Sequence, residues 1–399
     1  MKVVHICSSM TGGAGAAAFR LHRALCSSGI DSVMLTMHDD KEELRVHRLQ
    51  RPMLYRILGR LPFIGQRKYL AYLHKYDDVT QAMTFPDALY DCSQIPLLQS
   101  ADVINLHWVG NMLNYESFFA NVRKPIVWTL HDMNPFMGAL HFASDMEKIA
   151  DDESAMRLER KIRENKEHAY KNVSNLTIAP LCQWMKGESA ASAAFSGRPH
   201  TIVRNCVDVG VFSPISKEVA RKSLGLPLNS TLILYVCQHV KNPRKGYDVL
   251  RSAVNQFPEE CNLVAVGNGA IDGSGRVINI GRVEDAMKMA AFYAAADALI
   301  LPSLEDNLPN TMVESLCCGT PVLAFSQGGM KDIIKNGFNG LLSRQMSSDG
   351  LCEIVRLFCE NGVSWDVNTI SRDAKSQFSP DAVARQYMDI YNRIVKCDD

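Results

Sequence analysis

The chain has 399 residues, more than a single hydrophobic core usually serves, so two domains are expected. Apolar residues make up 47% of it and 43 basic side chains balance 43 acidic ones, which excludes a disordered chain and a whole-molecule nucleic-acid binder. No apolar run reaches the roughly 18 residues that a bilayer span requires. Met1–Cys7 reads as a short strand rather than a leader, because its apolar run stops at Ser8. The 12 cysteines are scattered and form no Cys-x-x-Cys pair, the pattern of reduced, buried thiols in a cytoplasmic protein rather than of a disulfide framework or zinc site.

In chain order, apolar runs predict strands at 3–7, 31–36, 103–106, 125–130, 176–179 and 200–203, each separated by helical sequence. A second series follows at 232–236, 262–266, 277–280, 298–301 and 322–325. Such alternation predicts a parallel α/β sheet twice over. The linker falls around Asn205–Pro214 and Pro227–Ser230, giving domains 1–208 and 209–379. The last stretch, 380–399, carries Val383, Tyr387, Met388, Ile390, Tyr391 and Ile394 at helical spacing and must pack on something.

Several segments carry chemistry. Ser8–Ala18 is a glycine-rich loop between strand and helix, with Gly12, Gly13 and Gly15 allowing close approach of a ligand to the backbone. Gly13-x-Gly15-x-x-Ala18, with Asp39 or Asp40 beyond the next strand, also satisfies a loose dinucleotide fingerprint. A nicotinamide-dependent oxidoreductase is therefore one reading, and helix–strand packing through small residues is another. Residues 51–75 hold Arg51, Arg56, Arg60, Arg67, Lys68 and Lys75 without an acid, interleaved with apolar and aromatic side chains. That mixture suits an anionic lipid surface, and equally a helical pair with a solvated basic face. His107 and His131 each follow a buried strand, at the carboxyl edge where α/β sheets place ligands.

In the second half, Lys241, Arg244 and Lys245 cluster where a strand turns into a helix, which suits a diphosphate. Pro302–Val322 is a strand-loop-helix-strand unit whose helix starts near Asn310, with Asn310 as its expected cap and Gly319 and Pro321 as its stop. Asp306 and Glu314 flank that helix start. Their spacing alone fits either a sugar-nucleotide site or the ordinary preference for acids at a helix N-terminus.

The passage 302–322 resembles the acidic Glu-x7-Glu motif of retaining GT-B glycosyltransferases of the family 4 type. Asp306 and Glu314 fall on its two acidic positions, and Glu305 stands one residue too early. Asn105–Trp108 and Thr129–Met133 resemble signatures of a polysaccharide-assembling branch of that family. Lys245-Gly246, Gly267–Gly269, Gly281-Arg282 and Gly328-Gly329 continue the likeness through most of the second half. The family's usual Arg soon after the first strand of that half has no clear counterpart here, Gln238 and His239 occupying the neighbourhood, and Arg244 is the expected substitute.

The resemblance implies two Rossmann-like domains with a cleft between them and a C-terminal helix, 380–399, returning to the first domain. It implies a retaining transferase with no cofactor, using a UDP- or GDP-type nucleotide sugar as donor; no Asp-x-Asp cluster stands at a strand end, so the transfer is expected to be metal-independent. His131, Lys245 and Asp306 are the implied catalytic residues. Gly13, Arg244, Lys245, Arg282, Asn307, Leu308, Pro309, Asn310 and Glu314 would bind the donor, and Gly12 and His107 would lie on the acceptor side. The implied acceptor is a glycan or lipid-linked oligosaccharide of bacterial capsule or lipopolysaccharide assembly, with the protein cytoplasmic and peripheral on the membrane through 51–75. A non-catalytic sugar-binding protein on the same fold is the other reading that the shortened first acid allows.

Overall fold

The computed structural model describes residues 1–76, 82–273, 275–360 and 365–396. Internal contacts divide it into two units, Met1–Asn205 with the residues from Val383 onward, and Cys206–Ala382.

Unit 1 is built on β1 (Lys2–Ile6), β2 (Asp31–Thr36), β3 (Val46–Arg48), β4 (Val103–Leu106), β5 (Ile126–Leu130) and β6 (Leu176–Pro180), in the order β3-β2-β1-β4-β5-β6. Every adjacent pair is parallel. Helices cover both faces, so β4, β5 and β6 are buried at every residue and read in sequence as mostly apolar runs, each broken by one polar residue, Asn105, Thr129 and Thr177, instead of alternating ones. Trp128 is the centre of an aromatic core with Tyr115, Phe119, Tyr170 and Phe195.

Unit 2 repeats the plan with β7 (Thr231–His239), β8 (Cys261–Asn268), β9 (Val277–Gly281), β10 (Ala298–Leu301), β11 (Val322–Phe325) and β12 (Gly340–Ser343), in the order β12-β11-β10-β7-β8-β9. Both sheets have the doubly wound order. The chain leaves in opposite directions from β1 and β4, and again from β7 and β10, which opens a crevice at the carboxyl ends of those strands.

Three expectations need correction. Residues 200–203 form no strand: His200 makes a single bridge to Ile178, and the amides of Thr201 and Val203 donate to Ile178 and Pro180. Pro180 has no N–H to return, so the ladder cannot be completed. The short edge strands β3 and β12 were not anticipated, since three or four half-polar residues carry little periodicity. The glycine-rich segment is mostly helix, because the helix Gly12–Ser27 begins at its first glycine. Gly15 is required there by packing, since a Cβ would lie 2.4 Å from the Ser9 carbonyl oxygen.

The final helix, Pro380–Lys396, belongs to unit 1 from Val383 onward, and residues 397–399 of the expected span lie outside the described residues. Tyr387 and Tyr391 are fully buried, so their hydroxyls must find partners. Tyr391 donates to Asn105 Oδ1 on β4, and Tyr387 shares a 2.9 Å bond with Thr129 Oγ1 on β5. Asn105 Nδ2 in turn donates to Thr129 Oγ1 at 3.0 Å, closing the network. Replacing Tyr391 with Phe leaves the Asn105 acceptor buried without this donor and is expected to destabilise the chain by about 1–2 kcal/mol, read as a lower midpoint in urea unfolding.

Candidate active site

In unit 2 the predicted cations and the acidic segment converge across β7 and β10, the neighbours at the switch point. After β7 the chain makes a tight turn, Pro243–Lys245, capped by the Asn242 side chain accepting from the Arg244 amide at 3.0 Å. Gly246 follows at φ +77°, where a Cβ would sit 1.9 Å from the Pro302 carbonyl oxygen. Only glycine lets this turn press against the loop after β10. The Leu304 amide donates to the Arg244 carbonyl at 2.9 Å, and Arg244 Nη1 donates to the Glu305 carbonyl at 2.5 Å.

The two loops are thus stitched together, and Lys245 Nζ reaches the Asp306 carboxylate as a hydrogen-bonded ion pair. Ser303 Oγ donates to the same carboxylate at 3.3 Å. The adjacent Glu305 is not the acid on Lys245; its carbonyl serves Arg244. Asp306 is only 8% exposed. Burial alone would raise its carboxyl, but the charges of Lys245 and Arg244 and the Lys245 hydrogen bond outweigh that and hold it below the usual carboxylate range.

The loop is braced from a third strand. Gln327, just past β11, accepts from the Asp306 amide at 3.3 Å and donates to the Ser303 carbonyl at 3.0 Å. Gly328 and Gly329 allow the close approach, since a Cβ at either would meet the Asp306 or Asn307 carbonyl oxygen at 1.8 or 2.2 Å. The helix Asn310–Cys317 follows, but Pro309, not Asn310, occupies its cap position, contrary to expectation. Of the loop amides, Pro309 has none and Asn307 donates its own to Asp306 at 3.1 Å. Leu308 is buried, 5% exposed, and anchors the loop.

Glu314 lies in the same helix, 9% exposed, and accepts from the hydroxyl of buried Tyr293 at 3.0 Å. Arg282 is exposed, with its guanidinium on Glu284 at 2.8 Å.

In unit 1, His107 and His131 are brought together at the ends of β4 and β5, with His107 Nδ1 and His131 Nε2 3.0 Å apart. His131 is half-buried and followed by Asp132, whose carboxylate meets the His141 ring at 2.6 Å. Burial pushes the His131 imidazole down to about 4, against the pull of the Asp132 charge. The loop carrying these residues is clamped by one helix, Glu153–Tyr170. From it Glu159 accepts the Gly138 and Ala139 amides at 2.6 Å, and Lys166 donates to the Asn134 and Gly138 carbonyls at 2.6 Å. Burial brings the Lys166 ammonium down to about 7, with Glu159 and Asp132 opposing. Gly12 stands at φ +75° where the helix after β1 begins, with Gly13 next to it. Asp39, the acid of the dinucleotide reading, accepts the Met10 amide at 2.8 Å and thereby holds that loop.

Sequence reasoning missed Tyr293, Gln327, Ser303, Glu159, Lys166 and His5. Of these only His5 carries a legible signal, a polar residue inside the apolar strand β1; Glu159 and Lys166 are lost among the many charges of their helix.

Residues 230–361 match the family model described as Glycosyl transferases group 1. A D-inositol 3-phosphate glycosyltransferase of Xylanimonas cellulosilytica is 27% identical over 215 residues, covering 48% of this chain and 50% of that protein. The chain therefore spans about half the length of the curated relatives it matches. Among solved structures, the sucrose-phosphate synthase of Thermosynechococcus elongatus superposes over 100% of both chains with a TM-score of 0.69 at 17% identity. HepE of Anabaena, in complex with UDP-glucose, covers 98% of this chain and 100% of its own with a TM-score of 0.66 at 15% identity. The fold defined is GT-B, and residues 230–361 within it are similar to the group 1 glycosyl transferases.

The depressed Asp306 carboxyl has a stability consequence. Its folded-state pKa lies below the unfolded value of about 4, so its contribution is complete above that pH and is lost as pH falls through the folded value. Asp306→Asn is expected to lower the thermal midpoint at pH 7, with the gap to wild type closing below about pH 4; midpoints measured across pH 2–8 check this.

Proposed function

We propose that this chain is a retaining, metal-independent glycosyltransferase that moves a sugar from a UDP- or GDP-type nucleotide donor to a glycan or lipid-linked glycan acceptor in bacterial surface polysaccharide assembly. The observation that carries the reading is the Lys245–Asp306 pair, with Arg244 beside it, at the switch point of unit 2. Two cations on backbone-braced loops are suited to a diphosphate, and they meet the charge that grows on it as the glycosidic bond breaks. That placement needs no reorganisation at the moment of reaction. Glu314, oriented by Tyr293, is assigned to the ribose hydroxyls and Asp306 to the sugar hydroxyls. Asp306 is a positioning carboxylate in this reading, and no covalent nucleophile is assigned. UDP-glucose in the HepE structure supports the donor class.

Lys245→Ala is expected to lower kcat by 100-fold or more, on the order of removing one preorganised donor from a transition-state site. Near-normal turnover in that variant, assayed with a panel of UDP- and GDP-sugars, would reject the assignment. Including D-inositol 3-phosphate among the acceptors separates a glycan acceptor from the one named in the relatives.

Membrane contact is supported by a separate observation. Around the helix Met53–Leu58, Met53, Leu54, Ile57, Leu61 and Phe63 are 66, 61, 50, 44 and 86% exposed. Arg51, Arg56, Arg60 and Arg67 are interleaved with them in sequence, so this segment offers apolar side chains for the acyl boundary and cations for anionic headgroups. Among the described residues no helix is long and apolar enough to cross a membrane. A lipid-linked acceptor would be reached from such a peripheral position. Co-sedimentation with vesicles containing anionic lipid is expected for wild type and lost in the combined variant Leu54→Ser, Phe63→Ser, Arg56→Glu; equal binding by both overturns this part of the reading.

A further inference from the structure

His5, His107 and His131 form a staircase across three adjacent strands. In register, His5 on β1 pairs with Asn105 on β4, and Leu106 pairs with Trp128 on β5. His107 therefore stands two residues further along its strand than the level of His5, and His131 two residues beyond the level of His107. Steps of two keep all three on one face of the sheet. The rings are stacked at centroid distances of 5.2 and 5.3 Å. His5 Nδ1 meets His107 Nε2 at 3.0 Å, and His107 Nδ1 meets His131 Nε2 at 3.0 Å.

Counting protons settles the polarity of this chain. Burial holds His5 and His107 well below the ordinary imidazole range and His131 at about 4, so all three rings are neutral near pH 7 and carry one proton each. Each nitrogen–nitrogen bond uses one proton. The third must sit on one of the two end nitrogens, His5 Nε2 or His131 Nδ1. His5 Nε2 is buried and has no hydrogen-bond partner. The nearby His22 ring, 6.0 Å away, directs its own nitrogens to Ser32 Oγ and the Leu44 carbonyl. A buried N–H without an acceptor is costlier than a bare lone pair. The third proton is therefore on His131.

We propose that His5 is a positioning residue which, by donating through His107, locks His131 as its Nδ1–H tautomer with Nε2 accepting. His131 then carries its proton on Nδ1 and gives its one lone pair, on Nε2, to His107, so it has no basic nitrogen with which to act as a general base. Only the kinetic part of this inference rests on the glycosyltransferase reading.

The test uses full-length protein with ring-15N histidine at pH 7, where a protonated ring nitrogen resonates far upfield of a bare one, and with His131→Gln to assign the His131 signals. The expected spectrum has His131 protonated at Nδ1. His5→Leu removes the donor and should populate the Nε2–H form. His5→Asn, whose amide N–H takes the place of Nδ1–H, should restore the native form. In transfer assays His5→Leu is expected to lower kcat roughly tenfold, the weight of one misdirected hydrogen bond, with KM unchanged and with recovery in His5→Asn. A native His131 protonated at Nε2, or a kcat that His5→Leu leaves as in wild type, overturns the proposal. Should no donor be turned over by any variant, the spectra alone decide the tautomer, apart from the assignment of function.

Discussion

Both sheets are wholly parallel and covered on both faces, and this one constraint governs where polar chemistry can sit. A buried parallel strand has no solvated face on which to place a charge. Polar side chains that are to meet a ligand gather at the carboxyl edge, where the switch points open a crevice. Lys245, Asp306 and Gln327 follow β7, β10 and β11, and His107 and His131 follow β4 and β5. Loops at such an edge are held by neighbouring loops, which is why glycines recur there. Gly246, Gly328 and Gly329 each leave room for a carbonyl that a Cβ would strike.

Polar groups that stay inside the layers must satisfy one another. Asn105, Thr129, Tyr387 and Tyr391 do so, and in doing so bind the last helix to the first unit. Lys166 and Glu159 do the same for the loop after β5, one neutralising carbonyls and the other amides. His5 keeps one nitrogen left over, and that leftover gives direction to the histidine row.

The repeated α/β plan was legible because fully buried parallel strands appear as short apolar runs separated by helical sequence. The edge strands β3 and β12 were not, since edges are short and partly polar. His107, His131, Lys245 and Asp306 could be singled out because each stands just beyond such a run. What no local pattern encodes is contact at long range. Nothing in the helix Ala286–Ala295 marks Tyr293 as the partner of Glu314, and no spacing reveals that Asp306, not Glu305, faces Lys245. The misplaced cap at Asn310 has a local cause: Pro309 already takes the cap position, leaving Asn310 inside the helix.

The Lys245–Asp306 ion pair makes Asp306 an intramolecular competitor for any anion that Lys245 would hold. Inorganic phosphate or a bare nucleotide must displace a tethered carboxylate and leaves it with nothing in exchange. A ligand that carries both a diphosphate and neighbouring hydroxyls offers each partner a replacement, the anion to Lys245 and the hydroxyls to Asp306. On the proposed function, selectivity for a joined sugar and phosphate over either half alone would follow from this single internal bond.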